Sequence, residues 1–186
     1  MKRLVIKTTL ITLASIIGAL IIAVGALCLF APKTMANFFE DVGNYSASVF
    51  FYEKNYEKTG SISDLDELLL KVYVESDYEL TEKYSKEMIE HVQFESLSVA
   101  NKEYYYGCYV IALANNGKFD QAINVGKDFV QDYGYTVFNP LRILITDYLQ
   151  DDMTENKQSL RQAVLSTTNV SAEQEVYKTQ DLIQLG

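Results

Sequence analysis

Histidine is almost missing: His91 is the only one in 186 residues. It stands beside Glu87 and Glu90 near the expected end of a helix, where the dipole favours a cation. That role leaves no histidine for a Ser-His-Asp triad. There is no Gly-x-Ser-x-Gly elbow and no glycine-rich loop to cradle phosphate. Cysteine is scarce as well. Cys28 lies in an apolar run and Cys108 among tyrosines, so no disulfide framework and no Cys/His zinc cluster is expected. Neither a cofactor nor a catalytic residue is called for, and the chain reads as a non-enzyme.

Basic charge is the next shortage, with 16 Lys and Arg against 25 Asp and Glu. No acidic residue precedes Pro32, so the rest of the chain is more acidic than the net charge of −9 suggests. Such a surface repels phosphate backbones, which excludes nucleic acid as a partner. The acidic residues are dispersed, as on solvated helix faces, and do not form a disordered tail.

What is abundant comes first in the chain. Thr8 to Ala31 carries no charge and is dominated by Leu, Ile, Ala and Val. A helix of that length rises about 36 Å, against a bilayer core of about 30 Å. Lys2, Arg3 and Lys7 precede the run, and only Lys33 follows closely. By the positive-inside rule residues 1–7 are cytoplasmic, 8–31 span the cell membrane in a single pass, and the remainder is extracytoplasmic. A cleaved signal peptide is the competing reading, with Thr34-Met35-Ala36 as its processing site. The run exceeds the 7–15 apolar residues usual for one. Bulky Leu27 before Cys28 argues against a lipoprotein site.

Residues 32–44 read as a juxtamembrane connector and 45–186 as an all-α domain. No strand pattern is visible after Tyr45, and apolar residues recur at three and four with helix punctuation between. Gly60 closes one helix. Ser63 is placed to cap the next, and Ser76-Asp77-Tyr78-Glu79 has capping-box form, opening a helix to about His91. Asn116-Gly117 ends an apolar helix over Tyr104–Asn115, and Phe119–Tyr133 follows. Asn139-Pro140 is a cap with proline at the first helical position, after which Phe138, Leu141, Leu144, Ile145, Tyr148 and Leu149 are expected to face inward. Thr154 opens another helix, and Ser171-Ala172-Glu173-Gln174 is a last capping box.

Three turns look alike: Ser76-Asp77-Tyr78, Gly117-Lys118-Phe119 and Asp151-Asp152-Met153. The last two are 34 residues apart, the tetratricopeptide period. The unit Glu103–Thr136 resembles a tetratricopeptide (TPR-like) repeat. Tyr106, Tyr109 and Leu113 match the aromatic and leucine positions of that family's first helix. Gly117-Lys118-Phe119-Asp120-Gln121-Ala122 matches its Gly-x-Tyr-x-x-Ala turn, whereas Gly126 stands where an aromatic is usual. The resemblance implies an α-solenoid of antiparallel hairpins with a concave groove lined by Leu70, Tyr73, Tyr104, Ile111, Asn115, Leu141, Ile145 and Tyr148. Family members commonly hold a peptide or a helix there.

Tyr104-Tyr105-Tyr106 cannot all point one way on a helix, so at least one is expected at the surface or in the groove. The leading expectation is a membrane-anchored protein-binding scaffold or assembly factor of the cell envelope, with a membrane-associated protein or peptide partner. The layout resembles bacterial envelope proteins that assist export or assembly. The alternative is an envelope carbohydrate-active hydrolase using paired carboxylates on the same scaffold.

Overall fold

A computed structural model describes residues 2–150 and 152–186, with side chains from Ile6 onward. The described residues contain ten α-helices and no strand. They divide into two compact units, Met1–Asp64 and Leu65–Gly186.

The first unit begins with α1 (Lys2–Phe30). Its stretch Ile6–Phe30 has a mean hydropathy of 2.7 and none of it is buried, so an apolar cylinder stands bare. The Thr12 hydroxyl is satisfied within the helix, donating to the Thr8 carbonyl at 3.0 Å. Ala31 leaves helical geometry, and Pro32, which lacks an N–H, opens α2 (Pro32–Asp41). The stretch expected as a connector is therefore mostly helix. An αL glycine, Gly43, and the cap Asn44, which accepts the Ala47 N–H, start α3 (Tyr45–Thr59).

The hairpin of α2 and α3 is clasped by its aromatics. Phe39 stacks on Phe51 at 5.5 Å and 4°, and the Tyr52 hydroxyl lies 2.8 Å from Glu40 Oε2. The Lys58 ammonium donates to the Phe30 carbonyl at 3.0 Å, which places a cation at the negative end of α1.

The division falls within α4 (Ile62–Val74), whose Leu65, Leu68, Leu69 and Val72 are wholly buried. Ser61, and not Ser63, starts it, its hydroxyl accepting the Ser63 N–H at 3.2 Å. Next come α5 (Tyr78–Glu90), a short 3₁₀ turn at Phe94–Ser96, α6 (Val99–Asn115) and α7 (Phe119–Tyr133). The cap of α5 is Asp77, which accepts the Leu80 N–H at 3.2 Å. Ser76 is displaced from that role because it has left-handed geometry, φ 57°. His91 ends α5 and accepts the Gln93 N–H on Nδ1 at 3.2 Å, a local turn contact.

The first two look-alike turns share one geometry. After α6, Lys118 N–H reaches the Leu113 carbonyl and Gly117 N–H the Ala114 carbonyl, around a left-handed Gly117. After α4, Asp77 and Ser76 bond to Val72 and Tyr73 in the same way. Both are Schellman caps. Serine suffers a steric cost in the left-handed region that glycine avoids, and glycine gives back part of the gain in chain entropy. Ser76→Gly is expected to stabilise the protein by about 0.5–1 kcal/mol in urea denaturation; a loss of stability refutes this account. The third turn differs. Leu149 is extended, and Asp151 lies outside the described residues.

Side by side, α5, α6 and α7 pack in sequence. Glu82 of α5 binds the next turn, taking Lys118 Nζ at 2.6 Å and the Asn116 amide at 2.7 Å. Burial opposes its ionisation, but those two donors prevail and hold its carboxyl below the usual range. Tyr105 on α6 donates to Asp66 on α4 at 3.0 Å. Asn139 accepts the Arg142 N–H and starts α8 (Pro140–Ile143), which widens into a π turn over Leu144–Tyr148. Leu141 and Leu144 enter the core with Phe129, Val130 and Leu160, the last from α9 (Thr154–Ser166).

The chain ends with α10 (Glu175–Gln184). The expected box precedes it: Ser171 N–H donates to Gln174 Oε1 and Gln174 N–H to Ser171 Oγ. Buried Asp181 fixes the helix to the unit. Its Oδ2 accepts the Tyr135 hydroxyl at 2.6 Å, and its Oδ1 lies 3.6 Å from Arg142 Nε. Arg142 also donates to Gln180 at 3.2 Å and lies over the Tyr177 ring.

Candidate functional site

Within the second unit, α4, α6 and the α8 segment enclose an open cleft of about 330 Å³. Tyr73 comes from α4, Glu103, Tyr104 and Cys108 from α6, and Phe138, Ile143 and Asp147 from the α8 segment. One missing side chain shapes it. A methyl group on Gly107 would lie 2.7 Å from Ile143 Cδ1, so the glycine leaves room for the tip of the Ile143 side chain.

The tyrosine triplet splits as helical geometry demands. Tyr104 is 39% exposed and lines the cleft. Tyr105 turns inward to Asp66. Tyr106 packs edge-on against Phe129, with ring centres 5.2 Å apart.

The cleft lining carries acidic groups, phenols and one thiol. Burial raises the Tyr73 phenol, with Cys108 and Asp147 adding to the effect. Burial also raises Tyr104, to which Cys108 and Asp66 contribute. The Cys108 thiol is pushed up to about 12 by burial, against an opposing hydrogen bond with Tyr104. It stays protonated at neutral pH and is no nucleophile. Glu103 is nine-tenths buried, and its Oε1 accepts the Phe138 N–H at 3.4 Å. No lysine, arginine or histidine is among the lining residues. Apolar walls with a few placed carboxylates and phenols suit binding.

Of the eight residues expected to line a groove, only Tyr73 and Tyr104 meet here. Ile111, Leu141 and Ile145 are core residues at 7%, 0% and 2% exposure and offer no surface to a partner. For Leu141 the reason is Gly126: a methyl there would lie 2.7 Å from Leu141 Cδ2, so the bare backbone lets Leu141 sink inward. Leu70 is half-exposed and lies outside the cleft lining. Asn115 is exposed and bonds back to the Ile111 carbonyl at 2.9 Å. Tyr148 stacks on Phe119 and donates to the Ala114 carbonyl at 3.1 Å.

Phe138, expected to face inward, is 67% exposed on the cleft instead. A signal was present. Phe138 and Ile143 occupy the N′ and N4 positions around the Asn139 cap, the pair that forms a hydrophobic staple. Glu103 and Asp147 had no comparable signal, since acidic residues are spread over the whole surface.

The fold and the cleft define an all-α protein with one bare apolar N-terminal helix and a small acidic cleft among helices. Compared with known proteins, the chain matches no family model, and no curated protein matches it.

Proposed function

We propose that this is a single-pass membrane protein whose TPR-like domain lies on the extracytoplasmic side and holds a protein partner in the cleft between α4, α6 and α8. The observation that carries the reading is the pairing of a bare apolar helix with an open, aromatic-lined cleft in one chain. Two successive Schellman turns and the side-by-side order of α5, α6 and α7 support the repeat character. Lys7 before the span, and acidic residues only after it, support the orientation. Tethering raises the effective concentration of the cleft at the surface where a membrane-associated partner works.

Photo-crosslinking in intact membranes tests this. A benzophenone amino acid at position 138 or 104 is expected to trap the same membrane-associated protein. Position 92, which is 94% exposed and outside the cleft, should not trap it. Equal products from all three positions, or none from 138 and 104, would count against the cleft.

The second reading is a glycan hydrolase. Its supporting observation is that Glu103 and Asp147 line the same cleft. Buried Glu103 has the secluded setting of a general acid, and exposed Asp147 the solvated setting of its partner carboxylate. Turnover of aryl glycosides by the full chain, abolished by Glu103→Gln, would favour this reading over the first.

A further inference from the structure

We infer that the cleft is selective for a primary ammonium on an aliphatic stem, the chemistry of a lysine side chain on the partner. The inference rests on the cleft being the binding site and goes further by naming what enters it. The walls are apolar: Tyr73, Tyr104, Phe138 and Ile143 present rings and methyl groups to a stem. Two carboxylates share the space, and no cation among the lining residues neutralises them.

The basic side chains near the lining residues in sequence are already engaged. Lys102, beside Glu103, is buried and bonds to Glu95 at 2.6 Å. Arg142, beside Ile143, faces Asp181. Glu103 is the decisive group. It is nine-tenths buried, yet its one hydrogen bond among the described residues is the long contact from Phe138 N–H to Oε1. Its second oxygen is not sealed in the core and stays reachable at the cleft lining, where a charged donor can bind it in place of water. An ammonium carries three donors on a slender stem. The phenols of Tyr73 and Tyr104, held neutral, add polar contacts and ring faces that attract a cation. An anionic side chain would meet the same two carboxylates as repulsion.

The test uses n-butylammonium, which reproduces a lysine side chain, against n-butanol and butyrate. The chain has no tryptophan, so Phe138→Trp places a single fluorophore on the cleft at an exposed site. This protein, full length in phosphatidylcholine nanodiscs, is titrated with each probe. The emission is expected to change saturably with butylammonium, at about one-tenth the concentration butanol requires, and not with butyrate. Asp147→Asn should cut that preference about threefold and Glu103→Gln about tenfold. Val92→Trp, in place of Phe138→Trp, should show no saturable change.

Equal responses to butylammonium and butanol would overturn the inference and leave an apolar cleft standing. A preference untouched by both substitutions would overturn it too, tracing the selectivity to the overall acidity of the protein. Silence with all three probes would remove the cleft as a binding site, and the functional reading with it. If Glu103→Gln lowers the melting temperature, the exposed Asp147→Asn decides alone.

Discussion

Ile17→Arg together with Leu20→Arg is expected to abolish membrane integration of the chain. Both residues lie mid-helix in α1 and are exposed, so neither change disturbs a packed core. An arginine near the centre of a spanning helix costs about 2.5–3.5 kcal/mol, and the pair about 5–7 kcal/mol. That exceeds what snorkelling recovers so far from either interface. Alkaline carbonate extraction reads the result: the parent chain, with an N-terminal tag intact, stays with the lipid, and the double variant is released or degraded. Full-length parent protein in the soluble fraction would sink the anchor. Loss of the tag with the remainder released would replace it by a cleaved leader.

The second large effect concerns the far end. Asp181→Ala is expected to destabilise the second unit by about 3 kcal/mol. It removes the acceptor of a buried tyrosine hydroxyl and the counter-charge of Arg142, whose side chain is only 23% exposed. Arg142 Nη1 is already buried without a partner, so the guanidinium has little slack. Asp181→Asn keeps an acceptor for Tyr135 and should cost about 1 kcal/mol or less. Denaturation followed by far-ultraviolet dichroism separates the two. Equal losses would mean that α10 is held by packing and not by this cluster.

The same group predicts a pH dependence of defined sign. Burial raises the Asp181 carboxyl above its ordinary 3.8, with Tyr135 and Arg142 pulling the other way. The folded state therefore holds this proton more tightly than the unfolded chain. Its contribution is fully present below 3.8 and is lost as pH rises through the higher folded value. Asp181→Asn should flatten stability against pH in that window.

Local signals carried far. The glycine after α3, the Asn139-Pro140 start of α8 and the Ser171–Gln174 box were legible because a cap is made by residues three apart, whatever surrounds them. Where a cap slipped, from Ser63 to Ser61 or from Ser76 to Asp77, a neighbour of the same chemistry took its place. The juxtamembrane stretch is helical over Pro32–Asp41 because α3 supplies the partner face.

The cleft was legible only in part. Tyr73 and Tyr104 were implied by the tetratricopeptide resemblance, but a resemblance cannot say which bulky residues find a neighbour. Leu141 left the expected groove because Gly126 on α7 lets the start of α8 settle against bare backbone. A glycine in a sequence reads as a turn or a weak point. Its value as room for another helix exists only once that helix has arrived.

Sequence alone determined the helical class, the length and composition of the apolar N-terminal helix, the excess of acidic residues and most helix ends. These depend on composition and on contacts within a few residues. Tertiary structure decided which tyrosine of three faces outward, which leucines vanish into the core, and that Glu103 and Asp147 share one space. Those outcomes depend on close packing between segments far apart in the chain, where a single methyl group changes which surface stays open.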